Sequence, residues 1–205
     1  RALVLISPNN PTGAIYPPAL LDRFFEECQR LGIALVLDET YKDFLPPPHY
    51  RVIRDLFLTE KLPWHYNDRV VSTERHFMFT HAFMDNGRVI NPHYFEPVRA
   101  MLDLIQRKKR FIGVSRIKAN LYTNQGRIIE HPAHHDIPPD VDVSDKMCIG
   151  VYHVNACNGQ TVIGDRSIPS RDNQLILFSN VAHYGTTQTD TDTRVVINFN
   201  LRIRE

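Results

Sequence analysis

The chain has 205 residues, enough to bury a sizeable core, so neither disulfides nor a structural metal is needed merely for it to fold. Its 24 basic and 23 acidic residues leave a formal net charge of +1, which gives no electrostatic footprint for nucleic acid or an anionic membrane. Three cysteines, Cys28, Cys148 and Cys157, are too few and too scattered for a disulfide framework, which points to a reducing, cytoplasmic setting; no apolar run approaches the roughly 20 residues of a spanning helix.

In chain order, Ala2–Ile6 is a short, fully apolar strand, and Ser7-Pro-Asn-Asn-Pro-Thr-Gly13 punctuates it. A helix is expected from Pro17/Pro18 to Leu31, with proline at its start and Gly32 as its stop. Ile33–Leu37 is a second buried strand, ending in Asp38-Glu-Thr-Tyr41. Two apolar strands joined by a helix make a βαβ unit of a parallel sheet, and such a unit needs both faces covered. From about Asp43 the pattern changes to alternation, which suits antiparallel strands with two different faces. In 116–122 the apolar set Ile117, Ala119, Leu121 opposes Lys118, Asn120, Tyr122. In 194–204, Val195, Ile197, Phe199, Leu201 and Ile203 oppose Arg194, Val196, Asn198, Asn200 and Arg202. Further strands are expected at 76–84, 147–154 and 175–178, helices at 48–59 and 94–108, and a hairpin turn at 155–159. Many strands and few helices imply a mainly β fold, a sandwich or jelly roll.

The motifs Ser7-Pro-Asn-Asn-Pro-Thr-Gly13 and Asp38-Glu-Thr-Tyr41 resemble the large domain of class I/II aminotransferases, the fold-type I pyridoxal-phosphate (PLP) enzymes. By that resemblance Asn10 and Tyr41 would hydrogen-bond the cofactor's phenolic oxygen, and Asp38 would pair with the pyridinium nitrogen. A Schiff-base lysine in its usual serine-rich context does not follow, and Lys42 and Lys61 stand in the wrong surroundings. Residues 1–42 therefore read as a truncated aminotransferase-like βαβ fragment without transaminase chemistry, and the junction falls within 43–48.

In the second piece, 43–205, the chemistry-bearing string is His131-Pro-Ala-His134-His135-Asp136. A spacing of i, i+2 puts His134 and Asp136 on one side of an extended segment, whereas His135 points away. His183 follows just past a strand, and Arg194 opens the last one. Two imidazoles and a carboxylate with open positions suit non-haem Fe(II), and a guanidinium nearby supplies a fork for a ligand's carboxylate. Taken alone, His134-x-Asp136 also fits an ordinary solvated turn.

The whole set resembles the 2-oxoglutarate/Fe(II)-dependent dioxygenases, closest to the small prolyl-4-hydroxylase-like members. The pieces that carry the resemblance include 62–68 (Leu-Pro-Trp-His-Tyr-Asn-Asp), 116–122, Ile129-Glu-His131, His134-His-Asp136, Asn158-Gly159, His183 and 194–200. It implies a double-stranded β-helix (jelly roll) with flanking helices over 43–205. It further implies His134, Asp136 and His183 as iron ligands, Arg194 as partner of the distal carboxylate of 2-oxoglutarate, and Tyr122 and Asn120 as further co-substrate residues. The implied reaction hydroxylates a C–H bond with O2 and 2-oxoglutarate, releasing succinate and CO2. Prolyl or other protein side chains are among the substrates it suggests. Two alternatives stand beside it, a PLP-dependent aminotransferase fragment and a non-catalytic metal-binding jelly-roll module.

Overall fold

The computed structural model describes residues 2–6, 17, 20, 23, 24, 27, 30, 31, 34–70, 76–137 and 146–203, with 2–6, 34–40 and 146 described as backbone only. Twelve strands and two helices follow one another among them: β1 (Ala2–Ile6), β2 (Ala34–Tyr41), α1 (Pro47–Phe57), β3 (His65–Asn67), β4 (Met78–Asp85), β5 (Arg88–Val89), α2 (Pro92–Lys108), β6 (Gly113–Thr123), β7 (Lys146–His153), β8 (Gln160–Ile163), β9 (Arg166–Pro169), β10 (Gln174–Ser179), β11 (His183–Gly185) and β12 (Thr193–Ile203). The expected mainly β, jelly-roll architecture is what forms. A large sheet runs β1-β2-β10-β7-β12-β6-β4-β3, with β5 paired to β4, and a three-stranded sheet runs β11-β8-β9.

Strand alternation decides how the large sheet is used. The odd residues Val195, Ile197, Phe199 and Leu201 of β12 are fully buried with Ile53, Phe57, Met101 and Ile105 of the two helices, so this face carries the helical layer. Both helices begin with proline, whose missing N–H costs nothing in a first turn. The opposite face meets the small sheet, where Ile149, Val151, Ile176, Phe178 and Val196 pack with Ile163 and Ile168. The polar stripe 194, 196, 198, 200 is therefore turned into a space between two sheets and not toward solvent. β12 and β6 pair antiparallel with Arg194 opposite Tyr122, Val196 opposite Asn120 and Asn198 opposite Lys118. One face of this ladder thus carries both polar stripes.

The βαβ expectation holds for its strands: β1 runs parallel to β2, with Ala2 opposite Ala34. Leu20, Arg23, Phe24, Glu27 and Arg30 are helical, while the Ser7–Gly13 motif, Asn10 included, lies outside the described residues. β2 extends beyond the expected Leu37 through Tyr41, and its end pairs antiparallel with β10, Tyr41 opposite Leu175. Immediately afterwards Asn173 fastens the chain. Its Oδ1 accepts from Leu45 N–H at 2.8 Å and from the Tyr152 hydroxyl at 2.9 Å, and its Nδ2 donates to Leu45 O at 2.9 Å.

One expectation fails. Residues 155–159 do not close a hairpin, because β7 belongs to the large sheet and β8 to the small one. Asn155 is instead tied to the start of β12 and Asn158 to the run before it: Asn155 Oδ1 accepts from Val195 N–H at 3.0 Å, and Asn158 N–H donates to Asp190 at 2.9 Å. These side-chain bonds turn the segment across the sandwich. The hairpin is β8–β9, turned at Gly164, whose φ of +60° suits a residue without Cβ.

Candidate metal centre and anion pocket

His134 and His183 face each other through a two-way backbone bridge, each N–H donating to the other's carbonyl at 3.0 Å. Their rings lie 4.8 Å apart, centroid to centroid. His134 Nδ1 is 3.2 Å from Pro132 O, and His183 Nδ1 is 2.9 Å from Val181 O. A carbonyl only accepts, so each Nδ1 carries the proton and each Nε2 is left with a free lone pair. Burial pushes the pKa of His183 below its ordinary value, which favours the neutral, ligating imidazole.

Asp136 completes the group. Its Oδ1 accepts from Arg116 Nη2 at 2.7 Å, while Oδ2 is buried and has no hydrogen-bond partner. A buried carboxylate oxygen left unpaired is costly unless something cationic meets it. One ligand atom from each of His134, Asp136 and His183 lies within 4.8 Å of the other two. Two imidazole nitrogens and one carboxylate oxygen converging this way fit a divalent first-row metal with positions left open.

The cleft continues from this group along the polar ladder of β6 and β12, enclosing about 470 Å³ including its mouth. At its far end Arg194 is 1% exposed. Its Nε donates to Ser170 Oγ at 2.8 Å, Nη2 donates to Thr161 Oγ1 at 2.9 Å, and its guanidinium carbon lies 5.5 Å from the centre of the Tyr122 ring. Among the described residues no carboxylate pairs with it. Among the described residues this buried cation is met by two hydroxyls, a carbonyl and a ring face, an arrangement that suits an anionic ligand. Tyr122 and Asn120 are buried in the cleft wall beside it, and the Asn120 Oδ1 has no partner. Lys118 also lines the cleft, its pKa pushed down to about 8 by burial and by the Arg116 charge, against the pull of Asp136.

The structure thus brings together in one cleft all six residues singled out from the sequence: His134, Asp136, His183, Arg194, Tyr122 and Asn120. His135 is exposed, as alternation requires. His131 is buried: its ring stacks on Tyr122 at 5.1 Å, and burial with the charges of His76, Arg194 and His134 pushes its pKa down to about 4. Sequence reasoning missed Thr161, Ser170 and Arg116, which orient Arg194 and Asp136, because nothing in a short strand marks which hydroxyl faces a buried cation.

Gly159 has a packing role that its turn-like context hides. A Cβ there would lie 2.7 Å from Arg194 Cδ and 2.9 Å from Thr187 O. Gly159→Ala must therefore displace the arginine stem, and urea unfolding is expected to show a loss of about 1–3 kcal/mol. Acid should also weaken the fold. His153 is held near pKa 3 and His131 near 4, chiefly by burial, against about 6.5 in an unfolded chain. The unfolded chain then binds more protons below pH 6.5, so stability falls as pH drops toward these folded values. Urea unfolding of the metal-free protein is expected to lose about 2–3 kcal/mol between pH 7 and 5.5. Replacing both histidines by phenylalanine should flatten that slope.

Solved structures of the same shape decide the fold. A 2OG-Fe(II) oxygenase-family oxidoreductase from Burkholderia pseudomallei superposes with a TM-score of 0.61 at 11% identity, covering 98% of this chain and 95% of its own. A prolyl hydroxylase from Trichoplax adhaerens, solved with a hypoxia-inducible-factor peptide fragment, gives 0.56 at 14% identity, covering 91% and 94%. The collagen prolyl hydroxylase of Paramecium bursaria Chlorella virus-1, solved with 2-oxoglutarate, gives 0.54 at 12% identity, covering 82% and 96%. The fold is that of the 2-oxoglutarate/Fe(II) oxygenases. In this oxygenase fold the N-terminal strands are part of the large sheet, although their sequence is of another kind. Residues 1–72 match the aminotransferase class I and II family model. Curated relatives include threonine-phosphate decarboxylase of Salmonella typhimurium, 38% identical over 65 residues, covering 26% of this chain and 18% of its own. Another is a probable aspartate/prephenate aminotransferase of Aquifex aeolicus, 44% identical over 45 residues, covering 22% and 11%. The chain spans less than a fifth of these relatives' length. No described helix is long and apolar enough to cross a membrane.

Proposed function

We propose that the chain is a 2-oxoglutarate- and Fe(II)-dependent dioxygenase that hydroxylates a C–H bond of its substrate with release of succinate and CO2. The observation that carries the reading is the pairing, in one cleft, of a two-histidine, one-aspartate group with a buried arginine that no carboxylate among the described residues pairs with. A module that only bound metal would have no reason to bury Arg194. His134 Nε2, His183 Nε2 and Asp136 Oδ2 would hold the iron, and Arg116 fixes the carboxylate so that Oδ2 faces it. Fe(II) in that place supplies the reductive activation of O2 that oxidative decarboxylation of 2-oxoglutarate drives.

The protein's own part is positioning. The guanidinium of Arg194 takes the distal carboxylate by charge-assisted hydrogen bonds, and the Tyr122 hydroxyl donates to the same group. Met78, Val151 and Val196 form the apolar wall that keeps bulk water from the reacting atoms. Prolyl peptides are the first substrate class to test, because two of the solved chains of this shape are prolyl hydroxylases. The test is succinate release by the purified protein with Fe(II), 2-oxoglutarate and O2, with and without a prolyl peptide. The reading expects slow Fe(II)-dependent succinate release without peptide, stopped by a chelator. Neither turnover nor 2-oxoglutarate binding under any condition would contradict it.

A further inference from the structure

We propose that His153 is a positioning residue for Arg194, aiming the guanidinium into the cleft through the hydroxyl of Thr161; this rests on the reading of Arg194 as the 2-oxoglutarate anchor. His153 closes β7 and is fully buried, opposite Gln174 on β10 and Val196 on β12. It shares the inter-sheet face with Ile149 and Val151. Its neighbours on that face are aliphatic, yet both its ring nitrogens are engaged by polar partners.

The direction of each hydrogen bond follows from its fixed end. Gln174 Oε1 receives the Arg171 backbone N–H at 3.4 Å, which marks that atom as the acceptor. His153 Nδ1, 2.9 Å from the same oxygen, is therefore the protonated nitrogen. Nε2 is left bare and must accept, and the hydroxyl of Thr161 lies 3.1 Å away to donate. With its one proton spent on His153, the Thr161 oxygen presents only lone pairs to Arg194 Nη2 at 2.9 Å. The chain of donors then runs one way, Arg194 to Thr161 to His153 to Gln174. Ser170 takes Nε–H from the other side. Two fixed acceptors hold a planar group's orientation, so the guanidinium is set before any ligand arrives. Burial and the Arg194 charge both keep the imidazole neutral, as this arrangement needs.

Calorimetric titration of 2-oxoglutarate into the Mn(II)-loaded full chain tests this without turnover. His153→Phe keeps a ring but removes the acceptor, and the dissociation constant is expected to rise about 5- to 20-fold. Thr161→Val should give a rise of similar size, and Thr161→Ser should stay within about two-fold of the parent. The double variant His153→Phe/Thr161→Val should be no worse than its weaker-binding single. In an Arg194→Ala background, His153→Phe should shift the constant less than about two-fold, since its route of action is gone. An unchanged constant in folded His153→Phe would overturn the proposal, as would an undiminished effect in the Arg194→Ala background. Should His153→Phe fail to fold, an unchanged constant in Thr161→Val overturns it equally. A parent protein that binds no 2-oxoglutarate would bring down the functional reading itself and this proposal with it.

Discussion

Arg194→Ala is expected to raise the apparent 2-oxoglutarate constant about thirty-fold or more, with little change in iron affinity measured without co-substrate. The distal carboxylate would then sit at the end of a cleft with no guanidinium to meet it, which costs on the order of 2–5 kcal/mol. Thirty-fold corresponds to about 2 kcal/mol, the lower end of that range. Iron is spared because Arg194 lies at the far end of the polar ladder and is no part of the histidine–aspartate group. Arg194→Lys keeps the charge but loses the fork that Ser170 and Thr161 hold in place, so a moderate weakening is expected. An unchanged 2-oxoglutarate dependence in Arg194→Ala would move the anchor to another cation, with Lys118 and Arg116 on the paired strand β6 the next candidates.

The second large effect is at the metal. Asp136→Ala and His134→Ala should each remove stoichiometric Fe(II) binding and succinate formation while leaving far-UV circular dichroism unchanged. If these three residues are the whole protein ligand set, as proposed, losing one removes most of the affinity. The two variants should differ in stability. His134→Ala gives up a side chain at the cleft, but its backbone bridge to His183 remains. Asp136→Ala also strips Arg116 of its buried partner, leaving a half-buried guanidinium beside Lys118. Its unfolding midpoint should therefore fall further than that of His134→Ala. Full 2-oxoglutarate turnover with stoichiometric iron in either variant would contradict the assignment of the group.

Much of the site could be read from alternation and spacing. The polar faces of 116–122 and 194–204 are visible as period-two patterns, and the i, i+2 placement of His134 and Asp136 carries its own geometry. What alternation leaves open is the side that a polar face meets. Each stripe alone fits a solvated face; the two together, on strands flanking the His134-x-Asp136 group, favour a polar pocket, and Asn198 and Lys118 do line the cleft. Long-range pairing was hidden for the same reason. Tyr41 meets Leu175 and Leu45 meets Asn173 through backbone and amide groups that any residue types could supply. The 155–159 turn misled because asparagines and a glycine suit a hairpin, whereas these asparagines bind the start of β12 and the run just before it. The N-terminal segment shows the converse. Its aminotransferase-like sequence was plain, yet the hydrogen-bonding of β2 to β10 joins it to the sheet that carries the site. Strand pairing is made by backbone groups, so an edge accepts a strand of foreign sequence if its length and register suit.

The most direct test of the whole account is an anaerobic titration of the metal-free protein with Fe(II) and then 2-oxoglutarate, followed in the visible spectrum. A metal-to-ligand charge-transfer band should appear only when both are present. It should saturate at one equivalent of iron, be absent in Asp136→Ala, and need far more 2-oxoglutarate in Arg194→Ala. No band at saturating Fe(II) and 2-oxoglutarate, or an undiminished band in Asp136→Ala, would contradict it.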